Sequence, residues 1–408
     1  MINAAKQQLR IKELELNSLL EITQAINNNL PEESLYKIYN FTLRANLNIS
    51  KLALYILSPD NTWHSKVCFG TEVNFAQIPI EPTRLDTREV KLLEKVDMPK
   101  EFKEFDIVIP VYHKDKVLAY VFVTEMRKNG EEHAIDTTFV QTLTNIMVVA
   151  IENKKLARRQ LAQEALNKEL EIAQQVQTML FPKKMPNNNS LQVNAYYFPH
   201  HSVGGDYYDF IEIDKDKFLL GIADVSGKGV PAALLMSNFQ ASLRILARRT
   251  TNLEDIVREL NYVIYQNSGG GSFITFFCGL YERETQRFSF INAGHNPPFF
   301  CDENDQIHLL EKGTTVLGVF HPLPFLDKVV IEKVQSFLLM TYTDGVVETR
   351  NDDDEEFGHD RLMVFFQENR NTNPQELHTK LVHLIDGFRS GNQYADDVTL
   401  FSCRVRKQ

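Results

Sequence analysis

Apolar residues recur along this chain with two different periods, and the changes between them divide it. From Ala5 to Asn28, Leu9, Leu16 and Leu20 lie on one side of a helical repeat whose other positions carry Lys, Glu and Gln. After Pro31 a second helical stretch continues to about Ala45 and gives way to LALYILSPD, a strand closed by a Pro-Asp turn. FDIVIPVYHKDKVLAYVFVTEM then alternates on either side of a polar turn. Phe105, Ile107, Ile109 and Val111 oppose Asp106, Val108, Pro110 and Tyr112, which predicts a hairpin.

A helical pattern starts again at about Ile135, and no Gly or Pro interrupts it between Val148 and Leu180. Within it Leu166, Leu170, Ala173, Gln177 and Leu180 are spaced four, three, four and three residues apart, as on a coiled-coil seam. The seam is short, and it leaves two uses open: homodimer formation, or packing against the chain's own domains. Pro182 and Pro186 stop the helix, and NNNS marks a boundary near residue 190.

Beyond that boundary the pattern is strand-rich. LQVNAYYFP, DFIEID, KFLLGIADV, FITFFCGLYE, RFSFINA, SFLLMTYTD and DDVTLFSCRV surround helical stretches at Val230 to Arg249 and Leu253 to Asn267. That order predicts a layered α/β fold with packed sheets and flanking helices. The expected organisation is a domain over residues 1–152, a helical linker over 153–186 and a second domain over 187–408.

Length agrees with that division, because 408 residues exceed what one hydrophobic core normally supports. A hydrophobic share of 43% with 24% charged residues is that of a folding chain rather than a disordered one. The net charge of -10 speaks against nucleic acid or an anionic membrane as the general partner. Cys68, Cys278, Cys301 and Cys403 form no CxxC pair, so neither a zinc knuckle nor a disulfide framework is expected. No apolar run reaches membrane-spanning length and the first residues lack a signal-peptide core, so a reducing cytoplasm is the expected location.

Four acidic positions stand at strand ends or turns beside small residues: Asp206 in VGGDYYD, Asp224 in GIADVSGKG, Asp344 in TYTDGVVE and Asp396 in YADDVTLF. Singly, each is more often a turn or cap residue than a ligand. Together they are carboxylates close to a sheet core, costly unless paired, and divalent cations are their strongest partners. Oxygen-only ligation selects Mg²⁺ or Mn²⁺ over zinc. Two such ions about 3.5–4 Å apart can share a water, lower its pKa and orient it toward phosphorus. Gly204 and Gly205 would let backbone approach a phosphate, whereas the GKG of Gly227 to Gly229 lacks P-loop spacing. His295, in AGHNPP, is either a general acid or a histidine satisfying backbone groups in a tight turn, and the second reading is favoured. The run NDDDEEF reads as a solvated flap, since consecutive like charges repel when buried.

VGGDYYDF, IADVSGKGVPAALLMS, INAGHNPPFF, LLMTYTDGVVETRN, EFG and DDVTLF occur in an order that resembles the PPM-type (type-2C) metal-dependent protein phosphatases, specifically the SpoIIE/RsbU branch. ELEIAQQVQTMLFPKKMP looks like the connector preceding that domain, and the resemblance covers about residues 168–405. It implies a β-sandwich flanked by helices and hydrolysis of phosphoserine or phosphothreonine with two Mn²⁺ or Mg²⁺ ions. Asp224 would bridge both ions, Asp206 and the Val225 carbonyl would serve one, and Asp344 and Asp396 would complete the other, with Asp397 as the alternative to Asp396. The implied substrate is a phosphorylated STAS-type anti-sigma-factor antagonist. The first domain resembles a GAF domain in its order of helix, strand, hairpin and long exit helix, which implies a sensor with a ligand or activating protein of its own. A cyclic-nucleotide signature is not apparent, and His64 and Cys68 fit a surface strand better than a haem or bilin site.

Competing with the regulated enzyme is a catalytically silent scaffold that binds a phosphoprotein without turning it over. Retention of all four acids argues against it. A structural Ca²⁺ site ranks last, because the acids are far apart and lack EF-hand spacing.

Overall fold

A computed structural model describes residues 2–46, 49–58, 61–80, 85, 89–96, 98–114, 116–125 and 136–407. The Pro59-Asp60 turn, Asp115 in the hairpin turn and the expected helix start at Ile135 lie outside them. The chain divides into two compact units, Met1–Glu164 and Ala165–Gln408.

The first unit contains α1 (Ile2–Asn27), α2 (Glu32–Asn46), β1 (Ile49–Leu57), β2 (Trp63–Phe69), β3 (Lys91–Leu92), β4 (Ile107–His113), β5 (Lys116–Glu125) and the beginning of α3 (Thr137–Thr178). Its strands form one antiparallel sheet in the order β2-β1-β5-β4-β3. Ile22, Leu35, Leu43, Leu143 and Met147 from the helices pack on Leu52, Leu54, Ile109 and Val121. Another cluster contains Ala53, Tyr55, Val108, Tyr120 and Phe122 of the strands with Phe75, Phe102 and Phe105 of the connecting segments. Both residue sets of β4 are therefore buried, and its core runs unbroken from Val108 to Val111. Alternation in the sequence marked a strand correctly but not a solvated face, because apolar cover lies on both sides.

The second unit contains the end of α3, then β6 (Leu191–Phe198), β7 (Tyr207–Glu212), β8 (Lys217–Val225), α4 (Val230–Arg249), α5 (Leu253–Ser268), β9 (Ile274–Glu282) and β10 (Arg287–Ala293). Short strands follow: β11 (Phe299–Cys301), β12 (Ile307–Leu309), β13 (Gly313–Thr314) and β14 (Val329–Ile331). The chain closes with β15 (Phe337–Tyr342), α6 (Asp344–Val347), α7 (Gly358–Asn369), α8 (Pro374–Arg389) and β16 (Val398–Val405). One sheet has the order β13-β10-β9-β8-β7 with β14 beside β10, and the other β12-β11-β15-β16-β6. Phe218, Phe277, Phe288, Phe300, Phe337 and Phe401 fill the space between them. α4 and α5 cover the first sheet through Met236, Phe239, Leu260 and Ile264, while α7 and α8 cover the second through Leu362, Phe366, Leu377 and Leu381.

α7 and α8 are additions to the sequence reading, which placed helices only at α4 and α5. The signal for α8 was present: Asn373 caps Glu376 N–H at 2.9 Å, Pro374 occupies the first turn, and Leu377, Leu381 and Ile385 recur every fourth residue. The coiled-coil reading also needs correction at its lower end. Gln177 is buried and Leu180 packs on the second unit's core, so these seam positions are taken within the chain, whereas Leu166 remains 50% exposed. Among the described residues no helix is long and apolar enough to cross a membrane.

Candidate metal centre

Strand register brings the acids together. Tyr207 pairs with Ala223, so Asp206 and Asp224 fall opposite each other where β7 enters and β8 leaves the first sheet. In the second sheet β15 and β16 are neighbours, and Asp344 follows the one while Asp396 precedes the other. All four positions thus mark one end of the sandwich, where the backbone leaves its ladders and polar groups can face a cavity. That cavity is lined by His200, His201, Gly205, Asp224, Lys228 and Asp396, with Val203, Gly227, Gly229 and Asp397 completing its wall.

Asp206 is buried between the sheets. Thr343 Oγ1 donates to its Oδ2 at 2.8 Å, and Thr399 Oγ1 donates to the same oxygen. Burial, followed by the charges of Asp224 and Asp397, holds its carboxyl well above the ordinary range, despite those hydroxyls. Burial and then the Asp344, Asp396 and Asp397 charges push Asp224 up to about 7, partly offset by a hydrogen bond with Asp206. Asp344 rises to about 6 through burial, then Glu348 and Asp396. Such crowding is costly for carboxylates alone and is relieved by a cation.

The remaining acids divide the labour. Asp397 accepts from His200 N–H and Gly205 N–H, both at 2.8 Å, so its oxygens hold the loop that carries Asp206. Asp396 is more exposed and pairs with Lys228 Nζ at 2.7 Å, while the same ammonium donates to the Ala395 carbonyl at 2.9 Å. Asp396 Oδ1 also accepts the Asp397 N–H at 2.8 Å, so both oxygens of each acid have partners, and Asp396 differs in being the more exposed of the two. A Cβ on Gly205 would come within 2.8 Å of the Val225 carbonyl, which places that carbonyl against the Asp206 loop.

One expectation, for Gly204, and the less favoured reading of His295 require correction. Gly204 does not open toward a phosphate: a Cβ there would meet Asp397 Oδ2 at 2.1 Å, and Gln177 closes the peptide by donating to its carbonyl at 2.7 Å and accepting its N–H at 3.2 Å. Gly205 alone of that pair lines the cavity. His295 is 5% exposed and does not line it either. Its ring is hydrogen-bonded to Thr275 Oγ1 at 2.8 Å, its N–H donates to Asn292 Oδ1 at 2.7 Å, and burial lowers its pKa to about 3. It braces the strand beside Asp224, since Thr275 pairs with that residue. In the acidic run, Asp352 to Glu356 are exposed and Phe357 is buried, and Arg350 pairs with Asp354 at 2.9 Å and Glu356 at 2.7 Å.

Sequence reading missed Thr343, Thr399, His200 and His201, and gave Gln177 and Lys228 no part in the site. The threonines read as ordinary strand formers, and the seam placed Gln177 on a packing face without pointing to its hydrogen bonds with Gly204. Among the described residues no group of three or more His, Cys, Asp or Glu side chains lies close enough together to hold a metal ion as they stand. The oxygen-only donors, their crowding and their elevated pKa values nevertheless fit a hard divalent ion. Of the acids expected to hold it, Asp224 and Asp396 line the cavity, whereas Asp206, Asp344 and the Val225 carbonyl stand outside its lining.

Two facing sheets with outer helix pairs define the class: the fold is that of the SiaA-PP2C domain of Pseudomonas aeruginosa, with a TM-score of 0.54 and 18% identity over 60% of this chain and 99% of that one. Residues 214–406 match the family model described as Stage II sporulation protein E (SpoIIE). The second unit thus has a PP2C-like fold and, over residues 214–406, the pattern of the SpoIIE family model. Phosphoserine phosphatase RsbU of Bacillus subtilis (strain 168) is 34% identical over 193 residues, 47% of this chain and 56% of that protein. Protein IcfG of Synechocystis sp. (strain ATCC 27184 / PCC 6803 / Kazusa) is 29% identical over 262 residues, 57% of this chain and 41% of that protein. The chain accordingly spans about half the length of these curated relatives.

Proposed function

We propose that the chain is a metal-dependent serine/threonine phosphoprotein phosphatase whose catalytic domain is regulated by a GAF-like sensor in its first unit. The observation that carries this reading is the gathering of buried Asp206 with half-buried Asp224 and Asp344 at the strand ends of one end of the sandwich, where their carboxyls are pushed above the ordinary range. Asp206, Asp224 and the Val225 carbonyl would hold one Mn²⁺ or Mg²⁺, and Asp224, Asp344 and Asp396 the second. Bound ions would supply an activated water and neutralise charge on the phosphoryl group.

The chain's own residues prepare the place. Thr343 and Thr399 fix Asp206, Asp397 ties down the loop preceding it, and His200, His201 and Lys228 offer nitrogen donors at the cavity wall. Their position suits the oxygens of a phosphate ester. Similarity to RsbU, named a phosphoserine phosphatase, supports a serine-phosphorylated substrate, and the motif resemblance makes a STAS-type protein of a cytoplasmic partner-switching pathway the substrate to test. Control by the sensor is supported by α3, which has residues in both units and ends with Gln177 gripping the Gly204 peptide. Its upstream exposed positions, Leu161 and Leu166, support homodimer formation, which a solution mass of one chain at micromolar concentration would contradict.

Calorimetric titration separates this enzyme from a silent scaffold. Wild type is expected to bind Mn²⁺, and Asp224→Asn to bind at least about a hundredfold more weakly, since changes merely behind a metal ligand already cost 10–100-fold. A wild-type protein that takes up neither Mn²⁺ nor Mg²⁺ would favour the scaffold.

A further inference from the structure

α4 has two apolar faces, and only one is used by the core. Ala232, Met236, Phe239, Leu243 and Ala247 are buried. On another side Val230 is 44%, Leu234 62% and Ile245 54% exposed, with exposed Asn238 and Ala241 between them. At 3.6 residues per turn these five positions fall within an arc of about 80°. A helix that served a single core would carry polar side chains along such an arc.

Three features identify its occupant. The strip begins directly after the Gly227–Gly229 loop that lines the candidate metal centre and extends from it for about 22 Å at 1.5 Å per residue. Its charge is one-sided: in a chain of net charge -10, α4 has no acidic residue, Lys228 precedes it, and exposed Arg248 and Arg249 end it. Its area is modest, for one helix face of that length and about 10 Å width offers about 200 Å² against the roughly 800 Å² per partner of a stable complex. A permanent second copy needs more surface, whereas a substrate must leave after each turnover.

We propose that this face of α4 docks the phosphoprotein substrate, through an apolar patch bordered by carboxylates on that protein, while its phosphorylated side chain reaches the cavity at the start of α4. The proposal rests on the phosphatase reading. It assigns selection of the protein to α4 and the chemistry to the carboxylates, so the two separate in experiment. Apolar centre and charged border match the usual anatomy of a recognition surface.

Full-length Leu234→Asp and Ile245→Asp, with Leu234→Met as the conservative control, would be assayed in Mn²⁺ on p-nitrophenyl phosphate and on a serine-phosphorylated STAS-domain protein. The Asp variants are expected to lose about tenfold or more in kcat/KM on the phosphoprotein, mostly through KM, as for a central contact of an interface. Turnover of p-nitrophenyl phosphate and the melting temperature should stay at wild-type values, and Leu234→Met should keep most of the phosphoprotein rate. Unchanged phosphoprotein turnover overturns the docking surface and leaves the phosphatase standing. Equal loss on both substrates also overturns it, since α4 then supports the chemistry or the fold. A wild-type dimer that the Asp variants dissolve assigns the face to a second copy instead. Wild-type protein that hydrolyses neither substrate defeats the phosphatase reading, and the docking surface with it.

Discussion

Asp224 shows how a residue that weakens the fold can be the one that serves it. Its folded pKa of about 7 stands above the usual unfolded value of about 4. Between those values the folded chain binds more protons than the unfolded one, so stability falls as pH rises through that window. In chelator, the melting temperature of the second unit is therefore expected to decline between about pH 4 and 7, and Asp224→Asn to flatten part of that decline. Saturating Mn²⁺ should recover the loss in wild type. A melting temperature that rises across the window in chelator would contradict the assigned burial. At this scale the sequence was informative about charge: the four acids stood beside small residues at strand ends. It was less informative about partners. Thr343 and Thr399 grip Asp206 from positions whose β-branched side chains a strand would want in any case. His295 could be read as a general acid or as a histidine satisfying groups in a turn, with the second favoured, and it lies among Thr275 and Asn292.

Gln177 is where an element takes on more than packing. It is buried near the end of α3, and its amide exchanges two hydrogen bonds with the Gly204 peptide, two residues before Asp206. Gln177→Leu would leave that peptide buried and unpaired, at a cost on the order of 2 kcal/mol. The melting temperature should fall by roughly 4–8 °C. Mn²⁺ affinity measured well below that temperature should fall too, because the Asp206 loop loses one of its two anchors; Asp397 is the other. Weakened stability with unchanged metal affinity would reduce Gln177 to a packing residue. The seam pattern could not reveal this, since a spacing of three and four marks a face without naming what covers it. α8, by contrast, was legible: Asn373, Pro374 and the Leu377, Leu381, Ile385 repeat state its start and its buried face.

Across the whole chain, the break at Pro182 and Pro186 suggested a linker ending just before the second domain, whereas the compact units divide at Glu164 and Ala165. The difference has a physical origin. α3 continues through 42 residues without a breaker, and its last turns already belong to the second unit through Gln177 and Leu180. Composition records where a helix stops, not which core its side chains join. Packed sheets with flanking helices were readable from strand order and the sandwich from the motif resemblance, and the motif acids stand at one end because β7 and β8 in one sheet and β15 and β16 in the other end together. The account stands or falls on phosphate release from a serine-phosphorylated protein, measured for full-length chain and for residues 165–408 with Mn²⁺, with Mg²⁺ and with chelator, beside Asp224→Asn. It predicts release that requires metal and drops at least about a hundredfold in the variant. Release that persists in chelator or in Asp224→Asn, or none from either protein with either metal, would contradict it.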